Sequence, residues 1–303
     1  MTQTLFMFPG QGSQFVGMGA DLVRDYSEAR EVFAEADDTL GFSLSRLCFE
    51  GPEEELRLTA NTQPALLATS IAYFRVLAAK GWKADWAAGH SLGEYSALVA
   101  AGSLTLADGL RLVRQRGLFM QEAVPAGQGT MAAIMGLEAE AVEDVCRQAA
   151  AAVDGVVEPA NFNGAGQVVI AGERLAVEKA MELAKAAGAK RSIPLNVSAP
   201  FHCSLMQPAA ERMAGLLRTA AIADPVIPLV ANVTAAPARD AEAVRENLIL
   251  QVDHPVRWEQ SIRFLADQGV TRFVEVGPGK VLSGLVRKIA KGAEVLAAGD
   301  IQA

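Results

Sequence analysis

The chain has 303 residues, about half hydrophobic and a fifth charged. That is globular composition, with enough apolar matter for one large α/β domain or about two smaller ones. A net charge of −8 lacks the basic balance of a general nucleic-acid binder, and no run approaches the ~18 apolar residues of a membrane span.

In chain order, residues 5–8 read as an apolar strand, 21–40 as mainly helix and 63–79 as a second helix. Residues 82–88 end in small side chains able to pack as a buried strand. Residues 92–101 read as a helix, with Glu94 in the first turn, where an acid suits the dipole, and Gly102 at its end. Thr105-x-x-Asp108 opens a long helix over 105–124 in the manner of a capping box. Its stripe is Leu106, Leu110, Val113, Gly117, Met120 and Val124 at helical spacing. This alternation predicts an α/β layer with a mostly parallel sheet.

The middle of the chain differs. Strand 130–135, helix 138–151, strands 156–160 and 167–171, helix 175–187 and strand 189–197 follow the βαββαβ order of a ferredoxin-like split unit. Gly127-Gln-Gly129 and the loop Ser198-Ala-Pro200 bracket it. Strands at 226–232 and 273–276 and a helix after Gly279 then restore α/β character. The expected division is a large α/β-hydrolase-like domain of residues 1–127 and 198–303, interrupted by a small ferredoxin-like domain of 128–197. Chemistry is expected in the cleft between them.

Residues 1–9 carry no basic region and only a short apolar run, so no signal peptide is expected. Three widely spaced cysteines, Cys48, Cys146 and Cys203, fit a reducing cytoplasm. No metal-ligand spacing occurs, and neither metal nor cofactor is expected. The loop Phe8-Pro-Gly-Gln-Gly-Ser-Gln14 follows a strand but fails the dinucleotide pattern, since position 15 is Phe. It also fails the phosphate-loop pattern, since Met18 follows Gly17. It could still offer a backbone N–H to an oxyanion.

Gly89-His90-Ser91-Leu92-Gly93 has the context of a nucleophile elbow, with small residues before it and a helix after it. The Gly-x-Ser-x-Gly pattern alone is common by chance; its setting is what marks Ser91 as a nucleophile. The first free N–H groups of the new helix lie beside such a serine and favour the negative charge that attack on a carbonyl creates. Of the three histidines, His90 adjoins Ser91 on a turn where neighbouring side chains diverge. His202 sits on a loop rigidified by Pro200, where the chain returns to the main sheet, and is the expected base. His254 beside Asp253 is the rival, ranked second because sequence neighbours rarely orient one another's rings. Cys203 is expected to be buried bulk.

The set Phe8-Pro-Gly-Gln-Gly-Ser-Gln14, Gln63-Pro-Ala65, Gly89-His-Ser-Leu-Gly-Glu94, Arg116-Gly-x-x-Met120-Gln121, Asn161-Phe-Asn163, Phe201-His202 and Glu275-Val-Gly-Pro-Gly279 resembles the malonyl-CoA:acyl carrier protein transacylases. That family belongs with the acyltransferase domains of fatty acid and polyketide synthases. The match runs in order from near residue 5 to near residue 290, with no departure at the catalytic positions.

The resemblance implies that Ser91 takes a malonyl ester and that His202 serves as general base and then acid. It implies an oxyanion hole of the Gln11 and Leu92 N–H groups, and Arg116 as a clamp on the malonyl carboxylate. Gln251 would steady the His202 ring through its backbone carbonyl, so that no acid completes a triad. Asn161, Gln63 and Met120 would line the pocket, and Phe201 would narrow it in favour of malonyl over methylmalonyl. Helical periodicity does not choose between Arg114 and Arg116; the motif does, and Arg114 is read as a surface charge. A base steadied by a neutral carbonyl is expected near its ordinary pKa of ~6.5.

The partners implied are malonyl-CoA and an acyl carrier protein with its phosphopantetheine arm, in the cytoplasm and with no nucleic acid or membrane. An acidic carrier calls for a local basic patch, for which Lys185, Lys190 and Arg191, or Arg287, Lys288 and Lys291, are the candidates. The competing functions are a serine thioesterase or esterase, a non-catalytic carrier-binding scaffold, and an acyltransferase serving a polyketide line.

Overall fold

The computed structural model describes residues 2–125, 127–197 and 199–301. The expected boundary at Ser198 lies outside the described residues, as do Met1, Ala126, Gln302 and Ala303.

β1 (Gln3–Phe8) leads into α1 (Ala20–Asp25), α2 (Ser27–Leu40), α3 (Leu44–Glu50), α4 (Glu53–Leu56) and α5 (Thr59–Ala79). Tyr26, extended at φ −128°, splits the helix expected over 21–40 into α1 and α2. β2 (Trp86–Gly89), α6 (Leu92–Ala100) and α7 (Leu106–Glu122) follow. As the capping-box reading expects, the Thr105 hydroxyl caps α7 by accepting from the Asp108 amide.

The middle of the chain forms β3 (Gly129–Met135), α8 (Ala139–Val153), β4 (Val157–Gly164), β5 (Gln167–Glu173), α9 (Arg174–Ala186) and β6 (Arg191–Pro194). Then come α10 (Gln207–Thr219), β7 (Leu229–Val230), β8 (Pro237–Ala238), α11 (Ala241–Leu250), α12 (Trp258–Asp267), β9 (Val270–Glu275), α13 (Val281–Ile289), β10 (Glu294–Ala297) and α14 (Ala298–Ile301).

Two sheets result. The larger has the order β10-β9-β1-β2-β7-β8 and is parallel except where the edge strand β8 runs against β7. β1 at its interior is apolar on both faces, as a strand covered on both sides must be. Phe6 and Phe8 pack into one core with α2, α5 and α7, while Leu5 and Met7 pack into another with α12 and α13. The smaller sheet is antiparallel in the order β4-β5-β3-β6, and a separate core forms between it and the apolar faces of α8 and α9.

The strand expected over 226–232 shrinks to two residues. Prolines at 225 and 228 remove backbone donors, and Val226 is 81% exposed. β4 is longer than expected because its far end meets the larger unit: Phe162 N–H donates to the Val256 carbonyl, and Val256 N–H donates to the Ala160 carbonyl. Those bonds close one side of the cleft.

Candidate active site

The elbow is built from close approach. A Cβ on Gly89 would lie 1.9 Å from the Gly93 carbonyl, and one on Gly93 would lie 2.0 Å from the Phe8 carbonyl oxygen. Only glycine fits at either place. Ser91 between them adopts φ 53°, a strained conformation held from outside. Its N–H donates to Asn232 Oδ1 (2.7 Å), and Asn232 Nδ2 donates to the Gly89 carbonyl (2.6 Å). The glycine loop after β1 is drawn onto the same turn, because Gly10 leaves no room for a side chain against the His90 carbonyl. Gln11 thus faces the cavity beside Leu92, whose N–H opens α6 and has no partner within that helix.

Ser91 Oγ and His202 Nε2 are 2.6 Å apart. On the far side of the ring, Nδ1 lies 2.9 Å from the Gln251 carbonyl and 3.2 Å from the His254 carbonyl. Carbonyls only accept, so Nδ1 carries the proton and Nε2 is left bare to receive the Ser91 O–H. His202 is 3% exposed and itself holds a positive φ of 61°. The rival imidazole does not reach the site. The His254 ring is half exposed and bonds Asp253 at 2.7 Å, while its backbone carbonyl is what helps hold His202.

The expectation of an ordinary histidine pKa is overturned. Burial, and next the Arg116 cation, push His202 down to about 3, outweighing the two carbonyls that favour its charged form. Desolvation wins because the ring is enclosed on every side but the cavity.

Arg116 is 1% exposed, yet among the described residues no carboxylate hydrogen-bonds it. Its Nη1 donates to Gln63 Oε1 (2.9 Å), and its Nη2 donates to Gln251 Oε1 (2.9 Å) and Ser91 Oγ (3.2 Å). The guanidinium also lies over the Tyr95 ring at 5.7 Å. Its place is fixed by Gly117, where a Cβ would come within 2.7 Å of Ala60 Cα and the Thr59 carbonyl oxygen, so α7 sits hard against the start of α5. The reading of Arg114 as a surface charge is corrected. It is half-buried, donates to the Ala60 carbonyl and Asn61 Oδ1, and stacks on Phe42, because the same close crossing brings the α5 backbone within its reach.

A cavity of about 440 Å³ gathers these groups: Gln11, Gln63, Ser91, Leu92, Arg116, Met120, Asn161, Phe201 and His202 all line it. Gln251 is fully buried behind it. Met131 and residues 195–197, with Glu53 and Arg57 at the α4 side, complete the wall. Cys203 is buried, as expected. Neither basic cluster lines this cavity; Lys185, Lys190 and Arg191 share a separate hollow with Glu178 and Glu182. Among the described residues no group of three or more His, Cys, Asp or Glu is placed to hold a metal ion, and no helix is long and apolar enough to cross a membrane.

Sequence reasoning missed Asn232, Asn163 and the Gln251 side chain. Asn163 Oδ1 meets His90 Nε2 at 2.8 Å, tying β4 to the elbow, and the His90 ring packs beside Trp258. The available signal for Asn232 was its place after an apolar strand of a parallel sheet, where such folds concentrate their sites.

Comparison with known proteins shows what the chain as a whole is similar to. Residues 5–299 match the family model described as "Acyl transferase domain". Malonyl CoA-acyl carrier protein transacylase of Bacillus subtilis is 51% identical over 300 residues, covering 99% of this chain and 94% of that protein. An acyl carrier protein S-malonyltransferase from Vibrio cholerae superposes with a TM-score of 0.96 at 47% identity, covering 100% of both chains. A malonyl-transacylase solved with a type II polyketide synthase acyl-carrier protein superposes with a TM-score of 0.94 at 48% identity, covering 98% of this chain and 95% of that one. The chain belongs to the acyl transferase domain family.

Proposed function

We propose that this protein transfers a malonyl group from malonyl-CoA to the phosphopantetheine thiol of an acyl carrier protein, supplying extender units for fatty acid synthesis in the cytoplasm. The observation that carries the reading is one cavity holding Ser91 Oγ, a bare His202 Nε2 and a buried arginine that, among the described residues, hydrogen-bonds no carboxylate, Glu94 being held off behind the Gln251 amide. An anionic acyl group is the partner such a cation suits.

In the first half-reaction the Ser91 oxygen attacks the thioester carbonyl as its proton passes to His202 Nε2, with the Gln11 and Leu92 N–H groups receiving the oxyanion. The C–S bond then breaks, and the departing CoA sulfur takes the proton from His202. In the second half the carrier thiol gives its proton to His202, the sulfur attacks the malonyl-serine ester, and Ser91 recovers its proton as it leaves. The malonyl carboxylate takes the Arg116 Nη2 N–H now directed at Ser91, together with the N–H of Nη1 not used by Gln63. That carboxylate neutralises the cation that weakens His202, so the proper substrate strengthens the base. Asn161, Met120 and Phe201 shape the acyl pocket, and Gln251 and His254 orient the ring through their carbonyls.

The fold reading that accompanies this function is an α/β-hydrolase-like larger domain interrupted by a ferredoxin-like domain over 128–197. The 4-1-3-2 strand order of the antiparallel sheet, read from its β6 edge, supports the second label. The decisive experiment is intact mass after malonyl-CoA, and again after holo carrier protein is added. Mass gain at Ser91 that moves to the carrier supports transfer. Free malonate without carrier acylation makes the protein a hydrolase, and no gain at all makes it a scaffold.

A further inference from the structure

We propose that Glu94 is a positioning residue for malonyl selectivity: its buried carboxylate fixes which way the Gln251 amide faces, and so keeps an acceptor against Arg116. This rests on the malonyl-transfer reading above.

The sequence accounts for Glu94 by its place in the first turn of α6, but the side chain turns inward and is 1% exposed. Its Oε2 accepts from Gln251 Nε2 at 2.7 Å and from the Asn232 N–H at 3.3 Å. Gln251 Nε2 also donates to the Ser91 carbonyl at 2.9 Å. A primary amide has two N–H donors in one plane. With both engaged on one side, its oxygen must project to the other, where it meets Arg116 Nη2 at 2.9 Å. Rotating that amide by half a turn would set N–H donors against guanidinium donors. Without Glu94 one Gln251 N–H loses its acceptor, and the Ser91 carbonyl and the Arg116 donors alone are left to oppose the flip.

Burial pushes the Glu94 carboxyl up to about 7, against the pull of Gln251, the Asn232 amide and Arg116. Ionised or protonated, the group keeps an oxygen able to accept from Gln251. Acceptor geometry, rather than net charge, is therefore the property the site uses. Gln251 is placed to act twice: its backbone carbonyl orients the base and its side-chain oxygen orients the clamp. Glu94 bears directly on the second and reaches the elbow through its longer bond from the Asn232 N–H, so its loss should weigh more on substrate choice than on acyl transfer as such.

The test is the malonyl-to-acetyl ratio of kcat/KM for acylation of Ser91 from the two CoA thioesters. Glu94→Met keeps length and removes the acceptor; the ratio should fall about tenfold or more, chiefly through a higher KM for malonyl-CoA. Glu94→Gln, which retains the accepting oxygen, should restore the ratio to within about threefold of the parent. Gln251→Leu deletes the amide but not the backbone carbonyl, should lower the ratio like Glu94→Met, and decides the matter if Glu94→Met does not fold. An unchanged ratio, an equal fall for both thioesters, or a Gln variant as impaired as the Met variant overturns the role. Failure of both Glu94→Met and Gln251→Leu to fold makes the carboxylate a structural element and also overturns it. Failure of the parent protein to take malonyl at all would instead sink the function on which the role rests.

Discussion

The two walls of the cavity are made differently. On the larger-sheet side, Ser91, Arg116, Gln251, Asn232 and Glu94 are joined by direct hydrogen bonds between residues as far as 160 positions apart. On the antiparallel-sheet side, the cavity is lined mainly by Met131, Asn161 and residues 195–197, and that wall is anchored through β4: by His90–Asn163, by two backbone bonds near Val256, and by the Ser204 N–H and hydroxyl donating to the Glu158 carboxylate. The contrast suggests that the wall whose lining side chains bond one another carries the reaction, and that the wall tied through β4 shapes what enters.

The largest expected effects all lie on the bonded wall. Ser91→Ala should remove malonyl-enzyme formation, a fall of at least about 10³-fold measured by single-turnover acylation; a label surviving on another residue would reassign the nucleophile. His202→Ala should cost on the order of 10²–10⁴-fold, whereas His254→Ala, which leaves its backbone carbonyl in place, should cost less than about tenfold. Equal losses in steady-state turnover would restore His254 as a contender. Arg116→Ala should cost about 2–5 kcal/mol in malonyl transition-state binding and raise relative use of acetyl-CoA, read as a ratio of kcat/KM values.

A subtler effect concerns pH. Folded His202 titrates at about 3, against ~6.5 in an unfolded chain, so the unfolded state binds the extra proton between those values. Its contribution to stability is complete above about pH 6.5 and is lost as pH falls toward 3. Denaturation midpoints from pH 7 to 4.5 should decline less steeply in His202→Gln than in the parent; parallel curves would contradict a buried neutral ring. The smallest effect belongs to the other wall. Asn163→Ala removes the partner of His90 Nε2, and turnover should change by less than about tenfold, near 1 kcal/mol. A loss rivalling that of His202→Ala would erase the distinction between the walls.

How much of this was legible depends on range. The elbow, the capped α7 and the βαββαβ run express local rules of turn, cap and period, and the sequence conveys them well. Sequence reasoning missed α10, α11 and α12, although the apolar periodicity of α10 and α12 and the Asp240 cap of α11 are legible signals. The short edge strands β8 and β10 offered little to read; the two-residue β7 is held by pairing with β2 rather than by its own propensity. Ser91, His202 and Arg116 could be chosen because a motif or a shortage of rivals singled them out. Asn232 offered only its place after an apolar strand, and the inward turn of Glu94 offered nothing, since their partners lie more than 130 residues away. The depressed pKa of His202 was out of reach for a related reason. A histidine's solvation depends on what encloses it, and its neighbours in the chain do not say.

The contact of α7 with α5 at Gly117 makes the backbone spacing of two helices a calliper for the acyl group. A methyl inserted there would act as a shim between the helices and displace the Arg116 shoulder, altering the gap between guanidinium and hydroxyl that a substrate must bridge. Tolerance for longer or shorter dicarboxylic acyl chains should therefore respond to a glycine that does not itself line the cavity.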